Sequence, residues 1–261
     1  AFASPLPVFL QVIYAIGLSM LLLVPLRRLP AAAQVGLAGA LLVACDLLRG
    51  TAPDEGAGRF VGLLLFEAGV WSRDGRSLDA IVLYPVLPWL AVMLLGHATG
   101  RRLARAPLGA RAWLAGGLVC LAGFAALRFA DGFGNLGMHR QSGGVLAWLH
   151  CSKYPPSLTF LAMERGLMPP FLASRPARAA RAVPPTLPGR ALLVLRRVPL
   201  FFYLLHLSVI GLLAGIGVFD RARGSWLTSW IGAALLTAAC LPVCLAYARY
   251  KRRGHAWTRY L

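Results

Sequence analysis

The sequence predicts an all-α protein, a polytopic transmembrane helical bundle with about seven spans. Two observations favour this class. Seven apolar runs are each long enough to cross a bilayer, and basic residues concentrate in alternate gaps between them. A helix needs about 20 apolar residues to cross a hydrocarbon core of about 30 Å. The alternative is a soluble helical domain, but such domains rarely show so many apolar runs when, as here, only 14% of residues are charged.

The predicted spans follow one another along the chain, each bounded by the ends of an apolar run. They are Pro5–Leu26, Ala31–Leu48, Asp79–Gly100, Ala112–Ala130, Pro155–Ala173, Val198–Phe219 and Trp226–Tyr247. The fifth carries Glu164 and Arg165, and each such charge costs about 2.5–3.5 kcal/mol at mid-membrane. It is still predicted to span, because without it the following arginine-rich loop and the basic tail would lie outside the cell.

Lysine and arginine predict the orientation. They are in excess after the first, third and fifth spans and in the tail, whereas segment 49–79 has four arginines against five acids. Because such an excess marks cytoplasmic loops, the N-terminus is predicted outside and the C-terminus inside. A single domain, 1–261, then has two basic cytoplasmic segments, the loop 174–197 and the tail 248–261.

The formal net charge of +18 does not predict a nucleic-acid partner. The charge lies in short loops beside apolar spans, without a soluble domain to present it to a duplex. Membrane lipid is the predicted partner, because basic loops are attracted to an anionic inner leaflet. An anionic cofactor such as a nucleotide or coenzyme A remains open.

The start of the chain and its cysteines add two expectations. The chain opens on Ala1 rather than Met and reaches an apolar run within a few residues. With the N-terminus outside, this predicts further spans upstream in the natural gene product. The five cysteines are an odd number without close pairs and predict no disulfide framework. Cys240 and Cys244 share a helix face, but two thiols without a nearby His or carboxylate make a poor metal site.

Several strings in the chain resemble the blocks of one family, in the same order and spacing. They are YPVLPWLAVMLLGHATGR (Tyr84–Arg101), SKYPPSLTFLAM (Ser152–Met163) and RVPLFFYLLHL (Arg197–Leu207), together with the opening AIGLSMLLL (Ala15–Leu23) and the closing KRRGHAWTRYL (Lys251–Leu261). The chain is thereby similar to bacterial membrane proteins related to the heparan-α-glucosaminide N-acetyltransferase catalytic domain. It resembles only the C-terminal two-thirds of that domain.

The resemblance implies an inner-membrane acyltransferase. Such an enzyme takes an acetyl group from acetyl-CoA on the cytosolic side and delivers it to a sugar amine or hydroxyl on the far side. The family's proposed catalytic histidine belongs to the region upstream of this chain. The chain also departs from the family pattern at Cys45-Asp46-Leu47-Leu48-Arg49 (HNLLD expected), Glu164-Arg165-Gly166 (TLG expected) and Ile210-Gly211 (IH expected). A divergent or inactive member is therefore an alternative.

The catalytic candidates are His206, Tyr203 and Glu164. At about 1.5 Å of rise per residue, His206 and Glu164 both fall near the middle of their predicted spans. Ionisable residues at that depth face protein or water and indicate function, and His206 can relay a proton near neutral pH. The alternative is a hydrogen bond between helices that only holds packing.

The other candidates belong to an inner and an outer layer. The predicted contacts of the acetyl-CoA phosphates are basic or histidine residues at the inner ends of spans: Arg101, Arg102, His97, Lys251 and Arg252. The predicted acceptor-side residues are Lys153, Tyr154, His150, Asp46 and Arg128. Asp46 and Arg128 lie at similar depth and are predicted to pair across the bundle. For the segment at Lys153, a rigid helix start with an interfacial Lys/Tyr anchor is the alternative.

Two other function classes remain open at this point. A small-molecule transporter would also have kinked helices and central charges, although we find no inverted repeat between the halves of the chain. A non-catalytic membrane subunit would not need a central polar layer. The sequence leaves a homo-oligomer open.

Overall fold

The structure is a computed structural model that describes residues 7–73, 77–173, 187–218 and 226–253. This described part is mostly helical and also contains three short strands. In chain order the elements are β1 (Val8–Leu10), α1 (Val12–Leu26), α2 (Ala31–Leu47), α3 (Gly56–Leu65), β2 (Gly69–Trp71), β3 (Ala80–Val82), α4 (Val86–Arg105), α5 (Ala110–Ala130), α6 (Val145–Leu149), α7 (Leu158–Ala173), α8 (Leu187–Leu195), α9 (Pro199–Gly215) and α10 (Trp226–Lys251). The chain divides into two compact units, Ala1–Ala180 and Arg181–Leu261, which we describe separately.

The core of the first unit lies where α4 packs against α1 and α2. Ala38 on α2 and Ala91 on α4 are fully buried, and such small side chains let two helix backbones approach closely. Leucines surround them: Leu42, Leu90 and Leu94, with Leu161 from α7. The same contact holds α4 at a fixed position relative to α2, whose C-terminal end leads into the site described below.

Helices α5 and α7 approach each other through two glycines. A Cβ atom at Gly166 would lie 2.6 Å from Cγ of Leu121, and one at Gly117 would lie 3.1 Å from the carbonyl oxygen of Gly166. Neither position has room for a larger side chain without movement. The two helices therefore fix the start of α7 relative to the end of α5.

A three-stranded sheet lies beside the first turns of α1 and α4. The strand order is β1-β3-β2, with β1 parallel to β3 and β2 antiparallel to it. The paired strands carry Val, Ile, Phe and Trp side chains, which favour extended backbone. Helix α4 starts only after Pro85, because a residue that precedes a proline, here Tyr84, is disfavoured in the helical region.

The second unit contains α8, α9 and α10. Val198, Cys244 and Ala248 form its buried cluster, and the ring of Phe201 stacks on that of Tyr247 at a centroid distance of 4.0 Å. These contacts pair the N-terminal half of α9 with the C-terminal half of α10. Most apolar side chains on the rest of α10 are exposed.

The helical prediction is confirmed, with corrections at three places. The first and third predicted spans begin not as helix but as the strands β1 and β3. The basic loop predicted at 174–197 contains the helix α8 in its second part, while 174–186 lie outside the described residues. The predicted tail 248–261 begins inside α10, and residues 254–261 are likewise not described.

The number of spans remains a prediction. Each predicted span contains one long helix, but α1, α2 and α9 have only 15 to 17 residues. By length and composition, two helices of the described part could cross a membrane: Ala110–Ala130 and Leu227–Lys251.

Candidate functional site

A cavity of about 410 Å³ opens in the first unit beside the C-terminal end of α2. We call it the Arg49 cavity. Its walls come from the residues after α2, from α3 and the turn that follows it, and from two later loops. The lining residues are Arg49, Gly50, Arg59, Phe66, Glu67, Ala68, Leu136 and Pro155.

A buried carboxylate lies on one wall of this cavity. Glu67 is 7% exposed, and its Oε1 accepts a hydrogen bond of 2.8 Å from the backbone N–H of Gly50. Its Oε2 forms an ion pair with the Arg59 guanidinium, which projects from α3. A buried carboxylate is costly unless it is paired and hydrogen-bonded. Here both oxygens are satisfied, so the pair contributes no net charge to the cavity.

Arg49 supplies the uncompensated charge of the cavity. Its guanidinium lies directly against the backbone of Gly137, so closely that any Cβ there would overlap it. Gly137 has a φ of +70°, a conformation that glycine adopts without strain. Within the described ranges, Arg49 has no hydrogen-bond or ion-pair partner. Its five N–H donors therefore remain available to a ligand.

The wall formed by Leu136 is held by Asp46. Oδ2 of Asp46 accepts the backbone N–H of Gly134 at 2.9 Å, and Oδ1 accepts that of Leu136 at 3.3 Å. Leu136 has a φ of +50°, which costs a residue with a Cβ roughly 1–2 kcal/mol. The carboxylate thus fixes a turn that would otherwise relax, and it does so one helical turn before Arg49.

Arg128 holds the same turn from the other side. Its side chain is fully buried at the end of α5. It donates to Oδ1 of Asn135 at 2.7 Å and to the carbonyl of Met138 at 2.8 Å, and it also donates to the carbonyls of Trp148 and Ala147. The nearest carboxylate, that of Asp131, is 3.8 Å away.

The predicted pair between Asp46 and Arg128 is therefore wrong. Both residues lie near the C-terminal ends of their helices, α2 and α5, but the segment 131–138 runs between them. Two of its backbone N–H groups donate to the carboxylate, while the Asn135 side-chain oxygen and the Met138 carbonyl accept from the guanidinium. The two residues act as two supports of one loop rather than as partners.

The predicted acceptor-side segment borders the Arg49 cavity through Pro155. Tyr154 is 43% exposed, and its hydroxyl lies 3.1 Å from that of Tyr84 at the start of α4. Nζ of Lys153 lies 5.4 Å from the centroid of the Tyr154 ring, within cation–π range. His150 is exposed at the end of α6. The structure thus brings Lys153 and Tyr154 together beside the cavity.

The C-terminal end of α4 carries three of the five predicted cofactor residues, His97, Arg101 and Arg102. Buried Gln34 donates from Nε2 to the carbonyl of Leu26, which turns its Oε1 toward Nδ1 of His97 at 3.0 Å. An amide oxygen only accepts, so Nδ1 carries the proton. A neutral His97 ring therefore keeps its lone pair on Nε2.

The arginines beside His97 are engaged to different degrees. Nη1 of Arg101 donates to the carbonyl of Leu29 at 2.7 Å and ties the turn between α1 and α2 to α4. Exposed Arg102 donates to the carbonyl of Ala106 on its own helix end. Each guanidinium uses one nitrogen in these bonds, so each keeps donors for an anion.

The central candidates lie in different units. On α9, Nδ1 of half-buried His206 donates to the carbonyl of Phe202 at 2.9 Å, so its neutral ring is basic at Nε2. The Tyr203 ring meets it edge-on at 5.5 Å. Glu164 is exposed on α7 in the first unit, and no described residue bonds to it. Lys251 and Arg252 lie at the end of α10, where Arg252 is exposed.

Sequence analysis missed Arg49, Arg59 and Glu67. The charges of segment 49–79 are nearly balanced as a whole, and this sum hides the fact that, of the two arginines that line the cavity, Arg49 stays unpaired once Arg59 has paired with Glu67. A signal was present in the string LLLFEAGVW (Leu63–Trp71), where one acid stands inside an apolar run. An acid in that position is expected to be paired when it is buried.

Comparison with known protein families finds a match to the N-terminal part of the chain. Residues 5–127 match the family model described as heparan-alpha-glucosaminide N-acetyltransferase, catalytic. The family prediction is confirmed for this part of the chain, and with the two apolar helices it indicates a membrane protein with an acyltransferase-like function. Because the match lies in the N-terminal part of the chain, the prediction that only the C-terminal two-thirds of the domain is present is not confirmed. No curated protein and no solved structure gives a significant match.

Proposed function

We propose that this protein is an acetyl-CoA-dependent transmembrane acyltransferase. It would move an acetyl or other acyl group from acyl-CoA on the cytoplasmic side to a sugar amine or hydroxyl on the far side of a bacterial inner membrane. The family match over residues 5–127 supports the reaction class. Helix α4 is long enough to cross a membrane, although it is less apolar than Ala110–Ala130 and Leu227–Lys251, and the polar residues at its two ends support the transfer across a membrane.

The observation that carries the proposal is that α4 has a polar group of residues at each end. Its N-terminal end, with Tyr84, contacts Tyr154 beside the Arg49 cavity. Its C-terminal end carries His97, Arg101 and Arg102. A helix of 20 residues is about 30 Å long, which equals the thickness of the hydrocarbon core. One helix would then place a donor site and an acceptor site at opposite membrane surfaces.

In this proposal the seven long helices are the spans, and the basic end of α4 faces the cytoplasm. Phosphates of acyl-CoA would accept hydrogen bonds from Arg101 and Arg102 at this end of α4. The sequence-based proposal that Lys251 and Arg252 also bind them rests on the basic character of the C-terminal segment alone. Charge-assisted hydrogen bonds from arginine to phosphate are among the stronger ones in proteins. The acceptor would bind in the Arg49 cavity beside Lys153 and Tyr154.

The chemistry requires a base and a polarised thioester. The pantetheine arm of acyl-CoA would extend from the bound phosphates toward the acceptor and bring the thioester to it. The acceptor nitrogen or oxygen attacks the thioester carbonyl carbon, the C–S bond breaks, and the base passes the acceptor's proton to the sulfur, so that coenzyme A leaves as its thiol. Nε2 of His206 would take the proton that the acceptor loses, since Nδ1 is already committed to the Phe202 carbonyl. Proton transfer to a positioned base is worth about 10²–10⁴ in rate.

Site-directed variants of the full-length protein test this role. His206→Gln keeps hydrogen bonding but cannot relay a proton, so acetyl transfer is expected to fall about 100-fold or more while the folded yield holds. Ser208→Ala is the matched control on the same helix, because Ser208 only donates to the Leu204 carbonyl. A folded His206→Gln protein that transfers acetyl at the wild-type rate would make His206 structural and remove the proposed base.

A further inference from the structure

We propose that the Arg49 cavity is an anion-recognition site, and that the acceptor which enters it carries a carboxylate or phosphate group. The assignment to the acceptor rests on the proposed function. The recognition of an anion rests on the charges and contacts of the cavity itself.

The charge of the cavity is unbalanced. Two arginines and one glutamate line it. Arg59 and Glu67 form an ion pair, and the second oxygen of Glu67 is taken by the N–H of Gly50. The carboxylate therefore has no capacity left to neutralise Arg49. One positive charge remains on the exposed guanidinium of Arg49, where it is accessible to the negative group of a ligand.

The geometry of Arg49 suits a planar or tetrahedral anion. The Gly137 backbone against its guanidinium limits how far the group can rotate, and no described residue occupies its donors. A guanidinium offers paired N–H groups that bind a carboxylate or phosphate with two parallel hydrogen bonds. The turn that presents Gly137 is itself held by Asp46 and Arg128.

The rest of the lining indicates the size and character of the ligand. The volume of about 410 Å³ falls in the range of small-molecule sites, about 300–1,000 Å³. Phe66, Leu136 and Pro155 provide apolar walls, against which the C–H groups of a sugar ring or a glycerol backbone can pack. The ligand is thus a small hydroxylated body with one anionic group, either free in solution or as a lipid headgroup.

Binding measurements on the full-length protein in nanodiscs of neutral phosphatidylcholine test the proposal. Glucose 6-phosphate and glucose are the soluble probes, since they differ only in the phosphate. We expect the wild type to prefer the phosphate ester, and Arg49→Gln to weaken its binding about tenfold or more without changing glucose binding. Arg111→Gln is the matched control, because Arg111 is exposed and lies outside the cavity. Arg49→Lys keeps the charge without the paired donors and should be intermediate.

A second arm identifies the source of the anion. Nanodiscs with added phosphatidylglycerol would raise the Tm of the wild type and of Arg111→Gln by more than that of Arg49→Gln, if the ligand is a lipid headgroup. Either Arg49-dependent result supports the proposal. The proposal would be overturned if the wild type showed neither the preference for glucose 6-phosphate nor the rise in Tm. It would also be overturned if folded Arg49→Gln protein showed these effects undiminished.

Acetyl transfer from acetyl-CoA to glucosamine, measured in the same preparations, separates the two proposals. Transfer without anion selectivity refutes the anion site and leaves the proposed function intact. Arg49-dependent binding without transfer to any acceptor refutes the acyltransferase instead.

Discussion

Replacing Asp46 by asparagine tests how the wall of the Arg49 cavity is held. The carboxylate accepts two backbone N–H groups, from Gly134 and Leu136. Asparagine has one acceptor oxygen, so one of the two N–H groups would face an NH₂ donor instead. A hydrogen bond to a charged group contributes about 1.5–3 kcal/mol. The side chain is half-buried, and relaxation of Leu136 from its positive φ would offset part of the loss. We expect the free energy of unfolding to fall by about 1–2 kcal/mol.

The assay is reversible unfolding in mixed micelles, followed by tryptophan fluorescence. Asp54→Asn provides the control, since Asp54 is exposed and bonds to no described residue; its effect should stay within about 0.5 kcal/mol. Exchanging the charges of Asp46 and Arg128 should recover nothing, because the two side chains bind the loop rather than each other. A loss below about 0.5 kcal/mol for Asp46→Asn, or recovery on charge exchange, would refute this reasoning.

Three further predictions concern packing, cofactor binding and topology. Gly166→Ala should destabilise the protein by about 1–3 kcal/mol, because its Cβ would overlap Leu121. Gly116 has open space around it, so Gly116→Ala should be neutral or stabilising. Equal effects of the two variants in unfolding titrations would contradict the close approach of α5 and α7. Neutralising Arg101 and Arg102 together should weaken coenzyme A binding in a salt-dependent way, as measured by calorimetry at two ionic strengths. An unchanged affinity would mean that the two arginines contribute to membrane orientation and not to cofactor binding. A cysteine at position 181 should resist an impermeant thiol reagent in intact cells, and labelling from outside would overturn the predicted orientation.

The helices could be predicted from sequence because long apolar runs have few alternatives. The strands could not be predicted in this way. Residues 8–10 and 80–82 continue apolar runs into helices, and a short apolar segment does not distinguish strand from buried helix by its pattern alone. Pro85 was the available signal, since a proline near the start of a run favours a helix that begins after it.

Positions along a helix could be predicted for the residues of the site, whereas their partners in loops could not. Depth along a helix can be counted, which placed Asp46 and Arg128 correctly at the ends of α2 and α5. The path of the loop 131–138 cannot be counted, and that loop supplies the partners of both residues. The sequence presents Arg49 as one of several loop charges. Its role in the cavity depends on the pairing of Glu67 with a different arginine, Arg59. Local sequence does not specify which of two arginines will form the ion pair with a given carboxylate.

Vectorial acetyl transfer in sealed proteoliposomes tests the central claim most directly. Acetyl-CoA is trapped inside, the amino-sugar acceptor is added outside, and released thiol and acetylated acceptor are measured in each compartment. The proposed function predicts thiol inside and acetylated product outside in matched amounts, from the molecules whose basic end of α4 faces the lumen. Thiol release that does not depend on the external acceptor, or movement of a solute without any acetylated product, would contradict an acyltransferase that works across the membrane.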